Sequence, residues 1–449
     1  IIFRTYIQIC LIKSKMSAKN EKIGFWTASA LVAGNMIGSG VFLTPSALAA
    51  YGPISIVGWV FSGLGALSLA FVFSQLSKVL PNAHGGPYAY TRVGLGDFSG
   101  FLVAWGYWIS IWCSNAAIIV GMVSYLGYFF PILNSNTLVA VLTGQIILWS
   151  VTYINTRGIK EAGIVQVVTT VLKIAPLFLV GFCGLFFIEP ENFTPLNISE
   201  SSNSAAITAV AAFTLFSFLG LESATVPSND VINPRRTIPR ATYFGLAVTF
   251  LVYFLGSVSI MGMIPSEQLM HSPFPYSEAA AIMWGPIGGT LVTIGAVFST
   301  LGALNGWILI QGQVPCAIAT DRLFPKVFAK LNPQGVPATG LIISCVFVSI
   351  MMMMNYSDGL VATYSFFILL STFLVLVPYL FTVAAYGILL VQEKTLKTPF
   401  IPILGGLIAF LFSLWAVIGS GQESVFYGFI ILMAGIPVYI YMKASKTSS

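Results

Sequence analysis

The chain has 449 residues, of which 57% are hydrophobic and only 8% are charged, with a formal net charge of +6. Soluble domains average about 25% charged residues, so this composition excludes a soluble protein and predicts a polytopic membrane protein. The two histidines and five cysteines have no metal-ligand spacing, so we expect no metal site and no cofactor. The positive charge reflects membrane topology, because lysine and arginine favour the cytoplasmic connections, so we expect no nucleic-acid partner.

Residues 1–22 precede the first long apolar segment, and we expect them to be a cytoplasmic N-terminal segment. The apolar part of residues 1–15 is too short to span a bilayer, and no small-residue cleavage site follows it. Met16 opens the stretch MSAKNEK as a start site would. We therefore interpret residues 1–15 as translated upstream sequence that is not native to the protein.

Apolar runs long enough for a tilted transmembrane helix, roughly 18 to 30 residues, recur along the rest of the chain. They predict twelve spans at residues 24–50, 54–80, 98–130, 137–154, 160–188, 205–231, 240–264, 285–318, 338–355, 359–390, 399–420 and 424–442. The predicted fold class is therefore an all-α integral membrane protein with 12 transmembrane helices.

Lysine and arginine concentrate in the even-numbered connections and in residues 443–449, whereas the odd-numbered connections carry acidic residues. Lys173 is the one basic residue deep within a predicted span. Because positive residues favour the cytoplasmic side, both termini are predicted to be cytoplasmic, with 443–449 as a cytoplasmic tail. We expect the protein to be a multi-pass membrane protein, with the lipid bilayer as one of its partners.

The first span is interrupted by GNMIGSG, Gly34 to Gly40. Gly34 and Gly38 could form a G-x-x-x-G packing face, or the backbone could be unwound around a binding site at membrane depth. The sixth span carries a similar interruption, with Gly220 and Glu222 in TLFSFLGLESATV. Polar residues at the same depth as both sets of glycines favour the unwound backbone.

The two interrupted spans are five spans apart, which is an odd number, so the second copy enters the membrane inverted. We therefore predict two inverted repeats, at residues 23–188 and 205–390, followed by two further spans at 399–442. Unwound backbone offers N–H groups to a carboxylate and C=O groups to an ammonium. The pattern predicts a site for the headgroup of an amino acid.

Several motifs resemble the amino acid–polyamine–organocation (APC) superfamily, namely GNMIGSGVFLTP, GGPYAY, FSFLGLESA, NPRRTIP, LNGW and LFPKVFAK. The chain is most similar to the bacterial basic amino-acid/polyamine antiporters, with arginine/agmatine exchange as the nearest activity. The resemblance implies a leucine-transporter-like 5+5 inverted repeat with helices 1 and 6 broken. It also implies an alternating-access antiporter of amino acids or polyamines, with a homodimer formed through spans eleven and twelve.

The resemblance assigns the site residue by residue. Substrate contacts are expected at Asn35, Met36, Gly38, Ser39, Gly40, Tyr107, Ser110, Ile111, Asn115, Phe216, Leu219, Gly220, Trp307 and Ser371. Residues that gate the path toward the cytoplasm are expected at Tyr88, Glu222 and Tyr379.

Some of these side chains have structural alternatives. Trp307 could lie in an interfacial aromatic belt, and Tyr107 and Tyr379 could serve packing alone. Asn115 could make an interhelical hydrogen bond instead of a ligand contact. Glu222 could be a satisfied carboxyl in a helix break, although ionisable residues inside a membrane are usually functional.

Two residues depart from the arginine exchangers. The arginine exchangers carry tryptophan where this chain has Phe216. Phenylalanine is a weaker cation–π partner, which weakens the case for arginine as the substrate. The same exchangers carry a small apolar residue where this chain has Lys173. The resemblance to proton-coupled and sodium-independent permeases implies that this ammonium occupies the place of a sodium ion and couples transport to protons. The alternative is a permanently charged tether between spans one and five.

Antiport is therefore the first functional hypothesis, and a proton-coupled amino acid symporter is the second. A transporter-like amino acid sensor, which would bind without flux, is a third. The motifs H-E-x-x-H and G-x-x-x-x-G-K do not occur in the sequence, so we expect neither a membrane-embedded enzyme nor a nucleotide-driven pump.

Overall fold

The computed structural model describes residues 23–38, 40–81, 83, 85–158, 163–226, 228–354, 360–392 and 400–447. The expectations for residues 1–22, for Ser39 and for the last two residues of the chain lie outside these ranges. Within them the secondary structure is helical, and the one β-type pairing is an isolated bridge between Ile23 and Val231.

The helices of the described ranges are numbered here in chain order. They are α1 (Phe25–Met36), α2 (Gly40–Ala49), α3 (Ser55–Val79), α4 (Pro87–Leu95), α5 (Asp97–Leu126), α6 (Ile132–Ser135), α7 (Thr137–Thr156), α8 (Gly163–Gly184), α9 (Asn203–Leu215), α10 (Pro234–Met263), α11 (Ser266–Leu269), α12 (Pro275–Thr320), α13 (Ala338–Met354), α14 (Leu360–Gln392), α15 (Phe400–Gly419), α16 (Gln422–Met433) and α17 (Gly435–Thr447).

Among the described residues, ten helical segments are long and apolar enough to cross a membrane. Two shorter apolar helices, Lys173–Phe187 and Ala338–Met353, lie at the predicted fifth and ninth spans. Backbone groups in lipid must be hydrogen-bonded within the protein, which is why apolar runs of this length form helices. The chain is therefore a multi-pass helical membrane protein.

The eighth predicted span begins earlier than the sequence suggested. It was predicted to start at residue 285, but α12 extends from Pro275 to Thr320 with a kink at Gly285, whose φ of +72° is not helical. The first ten residues of α12 contain serine and Glu278, so they resemble a connection more than an apolar helix. Tyr276, Ala279 and other members of this turn are nevertheless buried against the rest of the bundle.

The first span is broken at its glycines. Helix α1 ends at Met36, where Ile37 still donates its N–H to the carbonyl of Ala33 at 2.7 Å, and α2 begins only at Gly40. In the sixth span, α9 ends at Leu215 and is followed by 3₁₀ turns at Phe216–Phe218 and Ser223–Thr225. Both helices are thus interrupted within the apolar segments that contain them.

Gly220 allows the second interruption to approach the first. Its φ is +104°, a conformation that residues with a side chain rarely adopt. A Cβ atom at Gly220 would lie 3.2 Å from the Cβ of Asn35 and 3.4 Å from the backbone nitrogen of Met36. The two non-helical segments therefore face each other at near van der Waals contact.

The helices around these interruptions form the centre of the bundle. Helix α5 is buried along almost its whole length and packs against α12 and α14. Helix α10 packs against α1, α3 and α8, whereas α15 exposes much of its apolar surface. The central position of α5 places its polar side chains beside the break in the first span.

Candidate substrate site

A small cavity lies where the two interrupted spans meet α5 and α12. Eight uncharged residues line it, namely Asn35, Met36, Gly38, Ser114, Ile118, Phe216, Leu219 and Trp307. Six of them were predicted from the sequence, and Ser114 and Ile118 were not. Its volume of about 20 Å³ holds roughly one water molecule, so an amino acid can enter only if the walls move apart.

Side chains from neighbouring helices bind the carbonyl groups that the first break releases. The indole Nε1 of Trp307 donates to the carbonyl of Asn35 at 3.3 Å. The hydroxyl of Tyr253, in α10, donates to the carbonyl of Met36 at 2.7 Å. Because an unpaired carbonyl in the membrane interior is costly, these donors stabilise the unwound segment.

A side-chain hydrogen bond joins the two interruptions directly. The amide Nδ2 of Asn35 donates to the hydroxyl of Ser223 at 2.9 Å. Asn35 thus contacts the second interruption through its side chain and Trp307 through its backbone. The sequence placed Asn35 near the substrate, and the structure adds that it links three spans.

Glu222 is fully buried, and two tyrosines bind its carboxylate. The hydroxyl of Tyr107 donates to Oε1 at 2.8 Å, and that of Tyr379 donates to Oε2 at 2.7 Å. The ring of Tyr379 also packs edge-on against Phe73. We call Tyr107, Glu222 and Tyr379 the carboxylate triad. It ties α5 and α14 to the interrupted sixth span.

Tyr88 lies apart from the carboxylate triad, although the sequence grouped it with Glu222 and Tyr379. Its hydroxyl donates to Oδ2 of Asp321 at 2.7 Å, and Nη1 of Arg92 lies 2.7 Å from the same oxygen. Arg92 also binds Asp97 at 2.9 Å. Burial, and then the hydrogen bond to Asp321, raise the pKa of Tyr88, so its hydroxyl stays protonated at neutral pH. The expected gating residues thus occupy two separate clusters.

Serines connect α5 to α14 beside the cavity. The hydroxyl of Ser371 donates to the carbonyl of Ser110 at 3.0 Å and lies 2.9 Å from the hydroxyl of Ser114. Ser114 also bonds the carbonyl of Ser110. Ser110, Ile111 and Ser371, all predicted to contact substrate, are at most 2% exposed and lie behind the cavity wall.

Asn115 belongs to a buried polar network that the sequence did not reveal. Its Nδ2 donates to Oε1 of Gln311 at 2.7 Å. Gln311 lies four residues after Trp307 in α12 and is fully buried. A glutamine on the same helix face as a pocket tryptophan was the available signal, but its partner on α5 could not be read from the sequence.

Lys173 lies where α8 meets α1 and α12. It is 7% exposed, and a Cβ at Gly302 of α12 would lie 3.2 Å from its Nζ. Three residues earlier, the hydroxyl of Thr170 donates to the carbonyl of Ala30 in α1 at 3.2 Å. The missing side chain at Gly302 leaves the space that the lysine fills. Lys173 thus packs against the eighth span, and Thr170 of the same helix bonds the first span.

The amino acid permease family matches residues 23–445. The chain belongs to this family. The match confirms the resemblance inferred from the motifs, and it makes the protein a transporter and not an enzyme.

Curated relatives agree with this assignment. An arginine/ornithine antiporter of Pseudomonas aeruginosa is 34% identical, over 83% of this chain and 79% of its own length. A cadaverine/lysine antiporter of Escherichia coli is 33% identical, over 76% of this chain and 77% of its own length. An arginine/agmatine antiporter of Chlamydia pneumoniae is 29% identical, over 96% of this chain and 92% of its own length.

Proposed function

We propose that the protein is an alternating-access antiporter that exchanges a basic amino acid for a related amino acid or its decarboxylated amine. It acts in a bacterial inner membrane with both termini in the cytoplasm. The observation that carries the proposal is the cavity between the two interrupted spans, lined by unwound backbone and by Phe216 and Trp307. The antiporter relatives support exchange as the mode of transport.

The headgroup of the substrate binds the unwound backbone. Its carboxylate binds at the start of α2 at Gly40, where the first N–H groups of the helix and its positive end attract an anion. Its ammonium donates to the carbonyl of Asn35, which accepts one hydrogen bond from Trp307 and has a second lone pair. The carbonyl of Met36 already accepts from both Tyr253 and the N–H of Gly38.

The side chain of the substrate lies between aromatic walls. Phe216 and Trp307 present π faces that attract a cation without requiring a buried counter-charge. Glu222, the acid nearest to this region in sequence, is already bound by two tyrosines, so its role is in gating. Phenylalanine instead of tryptophan at position 216 gives a weaker cation–π contact, which weakens the case for arginine as the substrate.

The carboxylate triad and the Tyr88–Asp321 cluster close the cytoplasmic path in this proposal. Their helices belong to two inverted repeats, 23–188 and 205–390, which make up ten of twelve spans. The remaining two, at 399–442, form the surface of a homodimer. Exposed apolar residues along α15 and α16 support such a surface, since they must contact lipid or protein.

Exchange can be tested in sodium-free proteoliposomes. Vesicles loaded with unlabelled arginine, ornithine, lysine, agmatine or cadaverine are given one of these compounds in labelled form outside. We expect uptake only when an internal partner is present. Uptake that is equally fast into empty vesicles contradicts antiport, and uptake of none of the five compounds contradicts the substrate class.

Proton-coupled symport is the second candidate, and the position of Lys173 favours it. The buried lysine lies against Gly302, and the next residue, Ala303, packs on Gly38 at the break in the first span. A cation site there would be filled by the ammonium, and loss of its proton would change the charge. Symport predicts uptake into empty vesicles when the outside is acidic. Antiport predicts that the pH gradient has no effect in empty vesicles.

A further inference from the structure

Four side chains form a continuous hydrogen-bonded chain behind the cavity, from α7 through α13 and α12 to α5. Thr152 contacts the sulfur of Cys345 at 3.0 Å, and Nε2 of Gln311 donates to that sulfur at 2.8 Å. Asn115 then donates to Oε1 of Gln311. All four residues are at most 2% exposed, so these bonds face little competition from water.

Thr152, at the α7 end of this series of hydrogen bonds, determines which group donates in each of them. A threonine hydroxyl has one hydrogen, and that of Thr152 goes to the carbonyl of Leu148 at 2.7 Å. The contact between Thr152 and Cys345 therefore uses the S–H of Cys345 as the donor. The sulfur then accepts from Nε2 of Gln311, which leaves Oε1 of Gln311 to face Asn115. Asn115 must direct its Nδ2 toward Gln311 and its Oδ1 away.

The carbonyl oxygen of the Asn115 side chain is left as an acceptor. This Oδ1 atom is buried and has no hydrogen-bond partner among the described residues. Asn115 follows Ser114 and lies less than one helical turn before Ile118; both of these line the cavity, whereas Asn115 lies directly behind its wall. A buried acceptor without a donor is unfavourable, so its position beside the cavity suits a ligand that brings an N–H group.

We propose that Gln311, held by Cys345 and Thr152, is a positioning residue that determines substrate specificity. It orients Asn115 so that the side-chain subsite accepts a hydrogen bond and therefore selects substrates whose side chain ends in an N–H donor. This inference rests on the proposed exchange of basic amino acids and amines. Gln311 acts through Asn115. Neither residue lines the closed cavity, so Asn115 becomes reachable when the walls move apart to admit the substrate.

Replacement of Gln311 by methionine tests the inference, because it keeps the volume and removes the acceptor that holds Asn115. Norleucine is lysine without the terminal amine, so their competition against one labelled substrate measures recognition of that amine. We expect the wild type to prefer lysine and Q311M to lose about tenfold of that preference, the range of one hydrogen bond to a charged group. The loss should appear in KM for lysine more than in kcat.

Further variants separate positioning from a general effect on folding. Q311E still offers an acceptor to Asn115 and should retain the preference for lysine. S344A removes a hydroxyl that bonds Trp108, Gly340 and the backbone carbonyl of Gln311, but not the side-chain amide of Gln311, and should resemble the wild type. If Q311M fails to fold, C345A removes the next link and should reduce the preference in the same direction.

An unchanged lysine-to-norleucine ratio in Q311M, or an equal loss in S344A, would overturn the role of Gln311 while leaving exchange intact. Failure of the wild type to exchange any basic amino acid or amine would overturn the proposed function as well. The two failures are therefore distinguishable in the same set of vesicles.

Discussion

The hydroxyl of Tyr379 is the most direct test of the cytoplasmic barrier. It donates to Oε2 of Glu222 at 2.7 Å, and both residues are completely buried. Tyr379→Phe removes this donor and little else, because the ring and its contact with Phe73 remain. If the carboxylate triad closes the cytoplasmic path, the closed form should become less stable relative to the open form.

The size of the effect follows from the type of bond. Removing the donor of a buried acceptor costs about 1–3 kcal/mol, and each 1.4 kcal/mol changes an equilibrium about tenfold. We therefore expect the fraction of cytoplasm-open protein to rise about tenfold to a hundredfold. The second donor, Tyr107, remains in place at 2.8 Å, so the carboxylate keeps one hydroxyl partner.

A reporter cysteine can measure this fraction. Ala224 is fully buried two residues beyond Glu222, so Ala224→Cys should react with an impermeant maleimide only when the cytoplasmic path is open. The labelling rate in inside-out vesicles, after subtraction of the rate for the same protein without the reporter, should rise about tenfold or more in Tyr379→Phe.

Tyr386 provides a matched control in the same helix. It is 1% exposed, and its hydroxyl has no hydrogen-bond partner among the described residues. Tyr386→Phe should label like the wild type. Equal labelling rates in Tyr379→Phe and Tyr386→Phe would refute the assignment of the carboxylate triad to the cytoplasmic barrier.

Three further variants test other parts of the site. Gly220→Ala should insert normally but bind substrate more weakly in isothermal titration, since the φ of +104° disfavours a side chain and the new Cβ would meet Asn35 at 3.2 Å. Wild-type affinity would mean that substrate binding does not need the close approach of the two interruptions. Trp307→Phe should retain substantial exchange whereas Trp307→Leu should abolish it, because an aromatic wall is needed; equal exchange rates would place the ring outside the site. If Lys173 replaces a sodium ion, wild-type uptake should not require sodium. If the lysine also titrates, the wild type should respond to a pH gradient and Lys173→Met should not. A sodium requirement would reject both the titrating lysine and the permanently charged tether.

Much of the fold could be predicted from the sequence because lipid restricts the possibilities. Apolar runs such as 55–79 and 400–419 can satisfy their backbone groups in a membrane only as helices. The interruption at Gly38 was visible because glycine and polar residues are expensive there. The early start of α12 at Pro275 was not visible, since its first turns carry polar residues that only tertiary contacts bury.

The partners within the site were harder to predict. Glu222 was recognisable as an intramembrane acid, and the sequence grouped it with Tyr88 and Tyr379 as gating residues. In the structure Tyr379 and Tyr107 bind its carboxyl group, whereas Tyr88 binds Asp321. Tyr88 lies just before the third span and Tyr107 lies within it. Their positions in the sequence do not reveal which hydroxyl reaches the carboxyl group of Glu222. Gln311 was overlooked because a single amide in a long helix gives no indication of the side chain it will meet.

The donors that stabilise the first break also suggest why transport would require a substrate. Trp307 and Asn35 both line the small cavity, and the indole of Trp307 donates to the carbonyl of Asn35, so admitting an amino acid means separating the two. Without a ligand, that separation would leave a carbonyl unsatisfied at membrane depth, at a cost of several kcal/mol. A substrate ammonium can take the place of the indole N–H and offset this cost. The rearrangement is then accessible mainly when substrate is bound, which is the condition that an obligate exchanger must meet.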